Sequence, residues 1–196
     1  MRVDKIVSRK LKLAILISGS GSNLQSIIDN CNEEKFPAEI LLVISNKADA
    51  YGLERATKAG IRNIVINHKD FSSREDFDTE LDKAIIESGA DFVCLAGFMR
   101  LLTADFTKKW EGKMINIHPS LLPDFKGANA HRDVIKAGVK KSGCTVHYVT
   151  PEMDAGPIIL QKEVDVLEND TEETLAKRVL EAEHICYPEA IKKICE

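Results

Sequence analysis

Four short apolar runs, residues 12–17 (KLAILI), 40–44 (ILLVI), 63–66 (NIVI) and 91–96 (DFVCLA), recur along the chain with stretches of helical spacing between them. Each run is too short to be a helix and is apolar without alternation, as expected of a strand buried on both faces. Between the first two runs, Leu24, Ile27 and Ile28 repeat at helical spacing. A second helical stretch spans 51–59 and stops at Gly60; a third runs from Ser73 to Ser88, with Phe77, Leu81, Ala84 and Ile85 on one stripe and Gly89 after it. Strands separated by helices long enough to cross a sheet fold with right-handed crossovers. The expected class is α/β: a Rossmann-like, open, mostly parallel sheet with helices on both faces.

A short helix over 103–110 leads to a fifth strand ending in residues 114–123, MINIHPSLLP. Alternate strand residues share a face, so Asn116 and His118 point the same way. Pro119 and Pro123 stop the strand and put the pair at its carboxyl end, where open α/β sheets bind ligands. A helix over 129–137 follows, then two adjacent strands, 143–150 and 158–166, whose connecting loop carries Asp154 between proline and glycine. The last helix starts from the capping signal at Asp170 and Thr171, passes Leu175, Val179, Leu180, Glu183 and His184, and is expected to kink at Pro188 before ending near Cys195. With no repeat or linker visible, 1–196 reads as one domain, with 1–11 as a frayed N-terminus.

Charge narrows the partners. The chain has 27 basic and 31 acidic residues, a net charge of -4, and no long basic run. This argues against nucleic acid or an anionic membrane as partner, so any anionic ligand must be held by local groups. The apolar run 13–17 is too short for a signal core or a membrane span, and a soluble, cytoplasmic protein is expected. The five cysteines are scattered, odd in number and without Cys-x-x-Cys spacing, so free thiols and no metal are expected.

Two groupings carry chemistry. Residues 18–23 (SGSGSN) join the first strand to the first helix. Glycines there allow a tight turn with exposed N–H groups, Ser22 or Asn23 can cap the helix, and its positive end attracts an anion. The loop outlines a phosphate cradle, although such loops also serve only to turn a chain. It is neither a dinucleotide fingerprint, whose third glycine would fall at Leu24, nor a Walker loop. The second grouping is Asn116, His118 and Asp154, which suits acyl transfer. An amide N–H and an imidazolium stabilise the oxyanion formed when an amine attacks a carbonyl, and a carboxylate holds the imidazolium and helps move protons. No serine or cysteine nucleophile is required. His147 and His131 read as structural, His68 as a solvated loop residue, and Lys140 with Lys141 as an exposed face.

Several segments together, LISGSGSNLQ (16–25), SNKADAYGLERA (45–56), LAGFMRLL (95–102), NIHPSLLP (116–123), HRDVIKAG (131–138), GCTVHYVTPEMDAGPII (143–159) and EHICYP (183–188), resemble the phosphoribosylglycinamide formyltransferases, a folate-dependent family of purine synthesis. The resemblance runs from Lys12 to about Ile191 and implies the formyltransferase fold, with 10-formyltetrahydrofolate as co-substrate and no metal. It implies that Gly19, Ser20, Gly21, Ser22 and Asn23 take the ribonucleotide phosphate, and that Glu183, otherwise a helix-face charge, takes the ribose hydroxyls. Met99, Arg100, Leu101 and Leu102 would wall the folate pocket with Asn116 and Asp154, and the backbone of 150–154 would read the pterin. Asn116, His118 and Asp154 would be the catalytic trio for direct attack by the amine of N1-(5-phosphoribosyl)glycinamide. The implied partners are small molecules only, with the protein a monomer or homodimer. Leu180 departs from the pattern, standing where some relatives carry a polar residue near the phosphate.

Other readings differ in what they need. A methionyl-tRNA formyltransferase requires an RNA-binding domain and a basic surface. A formyltetrahydrofolate deformylase uses the same trio with water in place of the amine. A non-catalytic nucleotide-binding module leaves Asn116, His118 and Asp154 without a purpose.

Overall fold

The computed structural model of the protein describes residues 9–196. In chain order the elements are β1 (Leu11–Ile17), α1 (Ser22–Cys31), β2 (Ala38–Ser45), α2 (Gly52–Lys58), β3 (Asn63–Val65), α3 (Arg74–Ser88), β4 (Phe92–Leu95), α4 (Ala104–Lys109), β5 (Met114–His118), α5 (Ala130–Ala137), β6 (Lys141–Tyr148), β7 (Ile158–Asp165) and α6 (Glu172–Ile194). The expected frayed segment 1–11 needs correcting at its end. Leu11 already belongs to β1, its N–H donating to the Pro37 carbonyl at 2.8 Å, and Arg9 reaches Asp91 at 3.1 Å. Residues 1–8 lie outside the described part.

The seven strands form one sheet in the order β3-β2-β1-β4-β5-β6-β7. Strands β1 to β5 are parallel, β6 runs antiparallel to β5, and β7 antiparallel to β6. The chain starts at β1, works outward to β3, and then returns to place β4 on the other side of β1. That reversal opens a crevice between the carboxyl ends of β1 and β4, the position where such sheets receive ligands.

Both faces of the central strands are covered, which is why their sequences do not alternate. In β1, Leu13, Ile15 and Ile17 enter one apolar layer with Leu24 and Ile27 of α1 and Tyr187 and Ile191 of α6. Ala14 and Leu16 enter the other, with Phe77 and Leu81 of α3 and Phe106 of α4. Helix α6 runs through Pro188 to Ile194, with Cys195 as its C-cap, ending where the sequence places it. Tyr187 and Ala190 beside the proline are completely buried, and the Tyr187 hydroxyl donates to the Leu95 carbonyl at 2.9 Å. This packing holds the helical turn in which proline lacks an N–H. The capping signal at the start of α6 is realised as a reciprocal pair between Thr171 and Thr174. Lys141 opens β6 and stays exposed, paired with Asp165 at 2.8 Å. Among the described residues no helix is long and apolar enough to cross a membrane.

Candidate active site

The glycine loop sits at the crevice. Ser18, Gly19, Ser20, Gly21, Ser22 and Asn23 line one side of a cleft of about 240 Å³, and Ala96, Gly97 and Met99 from the exit of β4 line the other. Ser18 ties the two sides together: its hydroxyl donates to Asn46 Oδ1 at 2.6 Å and accepts the Met99 N–H at 2.8 Å. Gly21 takes the left-handed conformation, φ 68°, and a Cβ there would lie 2.5 Å from the Gly52 Cα. Glycine is thus required both by the backbone angle and by the close approach of α2. The cap differs from expectation. Gly21 itself is the N-cap of α1, and among the described residues no side chain caps the helix, so its first-turn N–H groups have no side-chain acceptor there.

Asn23 is turned elsewhere, donating through Nδ2 to Glu183 Oε2 at 2.7 Å. Glu183 is thereby brought from α6 to the rim of the glycine loop. Both side chains are buried, and burial pushes the Glu183 carboxyl above its ordinary range while the Asn23 bond opposes that rise. A carboxyl whose folded pKa is raised favours the folded state below the unfolded value, about 4.3, and loses that contribution as pH climbs through the folded value. Glu183→Gln keeps an acceptor for Asn23 and removes the buried charge. Its melting temperature is therefore expected to match wild type near pH 4 and to exceed it increasingly toward pH 7, as differential scanning fluorimetry across that range would record. A constant difference at all pH values would contradict the assignment.

The second grouping assembles where β5 ends. In register, Leu16 pairs with Leu95 and Leu95 with Asn116, so the ends of β1, β4 and β5 form one line across the sheet. His118 is buried, with Nε2 2.9 Å from the Phe125 carbonyl and Nδ1 3.4 Å from Asp154 Oδ2. Both ring nitrogens face oxygen acceptors, a geometry suited to an imidazolium, which donates from each. Asp154 comes from the β6–β7 loop at φ 51°, and its Oδ2 also accepts the Gly127 N–H at 2.9 Å. Asparagine and aspartate are the side chains that tolerate this left-handed region best.

His147, read from sequence as structural, belongs to this cluster. It is the cross-strand partner of Asn116, with Nε2 3.4 Å from Asn116 Nδ2 and 3.8 Å from Asp154 Oδ1. Burial lowers the pKa of its imidazole, against the raising influence of the Tyr148 carbonyl and of Asp154. Burial thus favours the neutral form of the ring. Its Nδ1–H donates to the Tyr148 carbonyl at 2.9 Å, which leaves Nε2 to accept an N–H from Asn116. The Asn116 amide is held by that bond, and its second N–H has no partner among the described residues. The signal that could have found His147 is the antiparallel pairing of residues 143–150 with the preceding strand, which places it opposite Asn116.

Of the expected folate-wall residues 99–102, Met99 lies at the cleft. It is 76% exposed, whereas Leu101, 60% exposed, lies outside the lining. The Arg100 guanidinium rests 4.9 Å over the Phe77 ring, and Leu102 is partly buried against the α3 layer. His131 is half-buried, and burial pushes its imidazole down. His68, expected in solvent, is half-buried with Nδ1 3.1 Å from the Asn46 carbonyl. Among the described residues, no cluster of three or more histidine, cysteine, aspartate or glutamate side chains is arranged to hold a metal ion, and the five cysteines are unpaired.

The sheet is doubly covered and mostly parallel, with a glycine loop at its switch point and an amide–imidazole–carboxylate group two strands away, an arrangement suited to acyl transfer. The chain belongs to the formyl transferase family, whose pattern it matches over residues 11–191. Phosphoribosylglycinamide formyltransferase of Escherichia coli K12 is 46% identical over 178 residues, covering 91% of this chain and 84% of that protein. The trifunctional purine biosynthetic protein adenosine-3 of Gallus gallus is 53% identical over 190 residues, covering 97% of this chain but 19% of the relative. The chain thus spans about a fifth of the length of that longer protein. Among solved structures, glycinamide ribonucleotide transformylase 1 from Symbiobacterium toebii superposes with a TM-score of 0.91 at 49% identity, over 93% of this chain and 86% of that one. Phosphoribosylglycinamide formyltransferase from Brucella melitensis gives a TM-score of 0.91 at 47% identity, over 95% and 96%. The fold class expected from the sequence, including the formyltransferase fold, is the one observed.

Proposed function

We propose that the protein transfers the formyl group of 10-formyltetrahydrofolate to the primary amine of N1-(5-phosphoribosyl)glycinamide, a step of de novo purine (IMP) synthesis. The observation that carries this reading is the alignment of the glycine loop and the Asn116–His118–Asp154 group along one sheet edge, two strand spacings or roughly 10 Å apart. A substrate with a phosphate at one end and a nucleophilic amine at the other would span that distance. The names of the relatives, formyltransferases of purine synthesis, support the same substrates and favour the amine over water as acceptor.

In this mechanism the phosphate rests on the N–H groups of residues 19–23 and the ribose hydroxyls donate to Glu183. The folate lies against Met99, Arg100, Leu101 and Leu102, with the backbone of 150–154 against the pterin. The amine nitrogen attacks the formyl carbon directly, and the carbonyl electron pair moves onto oxygen. The free N–H of Asn116 and an N–H of His118 donate to that oxyanion, a substrate oxygen replacing the Phe125 carbonyl at Nε2. Asp154 balances the imidazolium and helps carry the proton lost by the amine to the departing N10. Collapse breaks the bond between the formyl carbon and N10, and no covalent intermediate with the enzyme forms. The described residues belong to one formyltransferase domain working on two small molecules, with 10-formyltetrahydrofolate consumed as a co-substrate.

Mixing the protein with 10-formyltetrahydrofolate is expected to release tetrahydrofolate only when glycinamide ribonucleotide is added, as followed by absorbance. Release at the same rate without the amine would assign the chain to the hydrolases instead.

A further inference from the structure

The glycine loop is held from behind by α2. The Gly19 carbonyl accepts the Gly52 N–H at 3.0 Å, and the Ser20 carbonyl accepts the Nε–H of Arg55 at 2.9 Å. Carbonyl and N–H of a trans peptide point in opposite directions. Carbonyls turned toward α2 therefore aim the N–H groups of Ser20 and Gly21 away from it, on the side of the cleft, which no α2 residue lines. Among the described residues no backbone carbonyl accepts the N–H of Ser20, Gly21, Ser22 or Asn23. The donors of the cradle are thus oriented by bonds made on its far side.

Arg55 is itself fixed. Its Nη1 donates to Gln25 Oε1 at 3.2 Å on α1, and its guanidinium lies 4.9 Å from the centre of the Tyr51 ring. One side chain therefore joins the loop, α1 and α2. The Gly52 contact is made by a backbone N–H that only proline would delete, and any Cβ there would overlap Ile17 Cδ1, so no replacement removes the bond alone. Arg55 is the half of the brace that can be removed.

We infer that Arg55 is a positioning residue for phosphate binding: outside the cleft, it holds the Ser20 carbonyl turned back so that the Gly21 N–H faces the phosphate monoester of the substrate. This rests on the reading of the cleft as a phosphate site. A planar guanidinium presents Nε–H and Nη–H in a fixed fork, so one side chain serves Ser20 and Gln25 together. A lysine keeps the charge but presents a single mobile ammonium.

The test is calorimetric titration of wild type, Arg55→Ala and Arg55→Lys with ribose 5-phosphate, alongside steady-state kinetics with glycinamide ribonucleotide and with its dephosphorylated riboside. Both variants are expected to bind ribose 5-phosphate about tenfold more weakly than wild type, the scale of one hydrogen bond to a charged group. KM for glycinamide ribonucleotide should rise in parallel, while KM for the folate and kcat/KM for the riboside stay unchanged, a split that general loosening of the fold would not produce. Wild-type affinity in both variants would overturn the inference. So would a lysine variant that matches wild type while the alanine variant is weak, since charge alone would then suffice. A wild-type protein that binds no phosphate monoester would overturn the underlying reading of the cleft, and is distinguishable because it requires no variant.

Discussion

His118→Ala is expected to lower kcat by about 10²–10³-fold, the scale measured for removal of one donor to a developing oxyanion. The side chain is buried at the carboxyl end of β5, and its two nitrogens are held by the Phe125 carbonyl and Asp154. Its orientation is therefore set before substrate arrives, which is what makes a donor effective in the transition state and costly to lose. Alanine removes the donor and leaves the loop residues, Glu183 and Met99 untouched. KM for both substrates is accordingly expected to stay within a few-fold of wild type, with the loss confined to kcat, since the missing interaction forms with the oxyanion rather than with the bound substrates. Near-normal kcat in a folded His118→Ala protein would remove the imidazole from the mechanism.

Asp154→Asn is expected to cost about 10²–10⁴-fold in kcat, by a different route, the loss of assisted proton transfer. Asparagine accepts the φ of 51° that the loop requires and can keep the Gly127 N–H bonded to its amide oxygen, so the backbone should not move. What disappears is the negative charge 3.4 Å from His118 Nδ1. In the proposed mechanism a protonated His118 would then lack its counter-charge and the relay of the amine proton would lack its acceptor. Asp154→Ala would add backbone strain to the same loss, so the asparagine variant is the cleaner measurement. Comparable kcat/KM for Asp154→Asn and wild type would show that the carboxylate only shapes the loop. Neither substitution is expected to prevent folding, because the apolar layers above and below the sheet do not include these residues.

How far the sequence reveals such a site depends on the range of the interaction that makes it. The strands were legible because burial on both faces of the sheet writes a continuous apolar run, as in β1 with Leu13 and Ile15 on one side and Ala14 and Leu16 on the other. Asn116 and His118 were legible because a period of two and a proline stop are local. Glu183 read from its position only as a helix charge, since the Asn23 that explains it lies 160 residues away. The antiparallel register of β5 and β6, which no local pattern encodes, is what places His147 against Asn116. The expected cap at Ser22 or Asn23 failed for a similar reason, because Glu183 draws Asn23 away and the close approach of Gly52 keeps Gly21 in the turn. The family resemblance contributed the substrates, whose chemistry no spacing of residues specifies.

The most direct measurement of formyl transfer is the product balance of a single turnover. Enzyme in excess over 10-formyltetrahydrofolate carrying an isotopic label in its formyl group, with saturating glycinamide ribonucleotide, is quenched and analysed by mass spectrometry. The expected result is one equivalent of labelled N-formylglycinamide ribonucleotide for each tetrahydrofolate released, with no labelled formate. Labelled formate in place of the formylated ribonucleotide would contradict it.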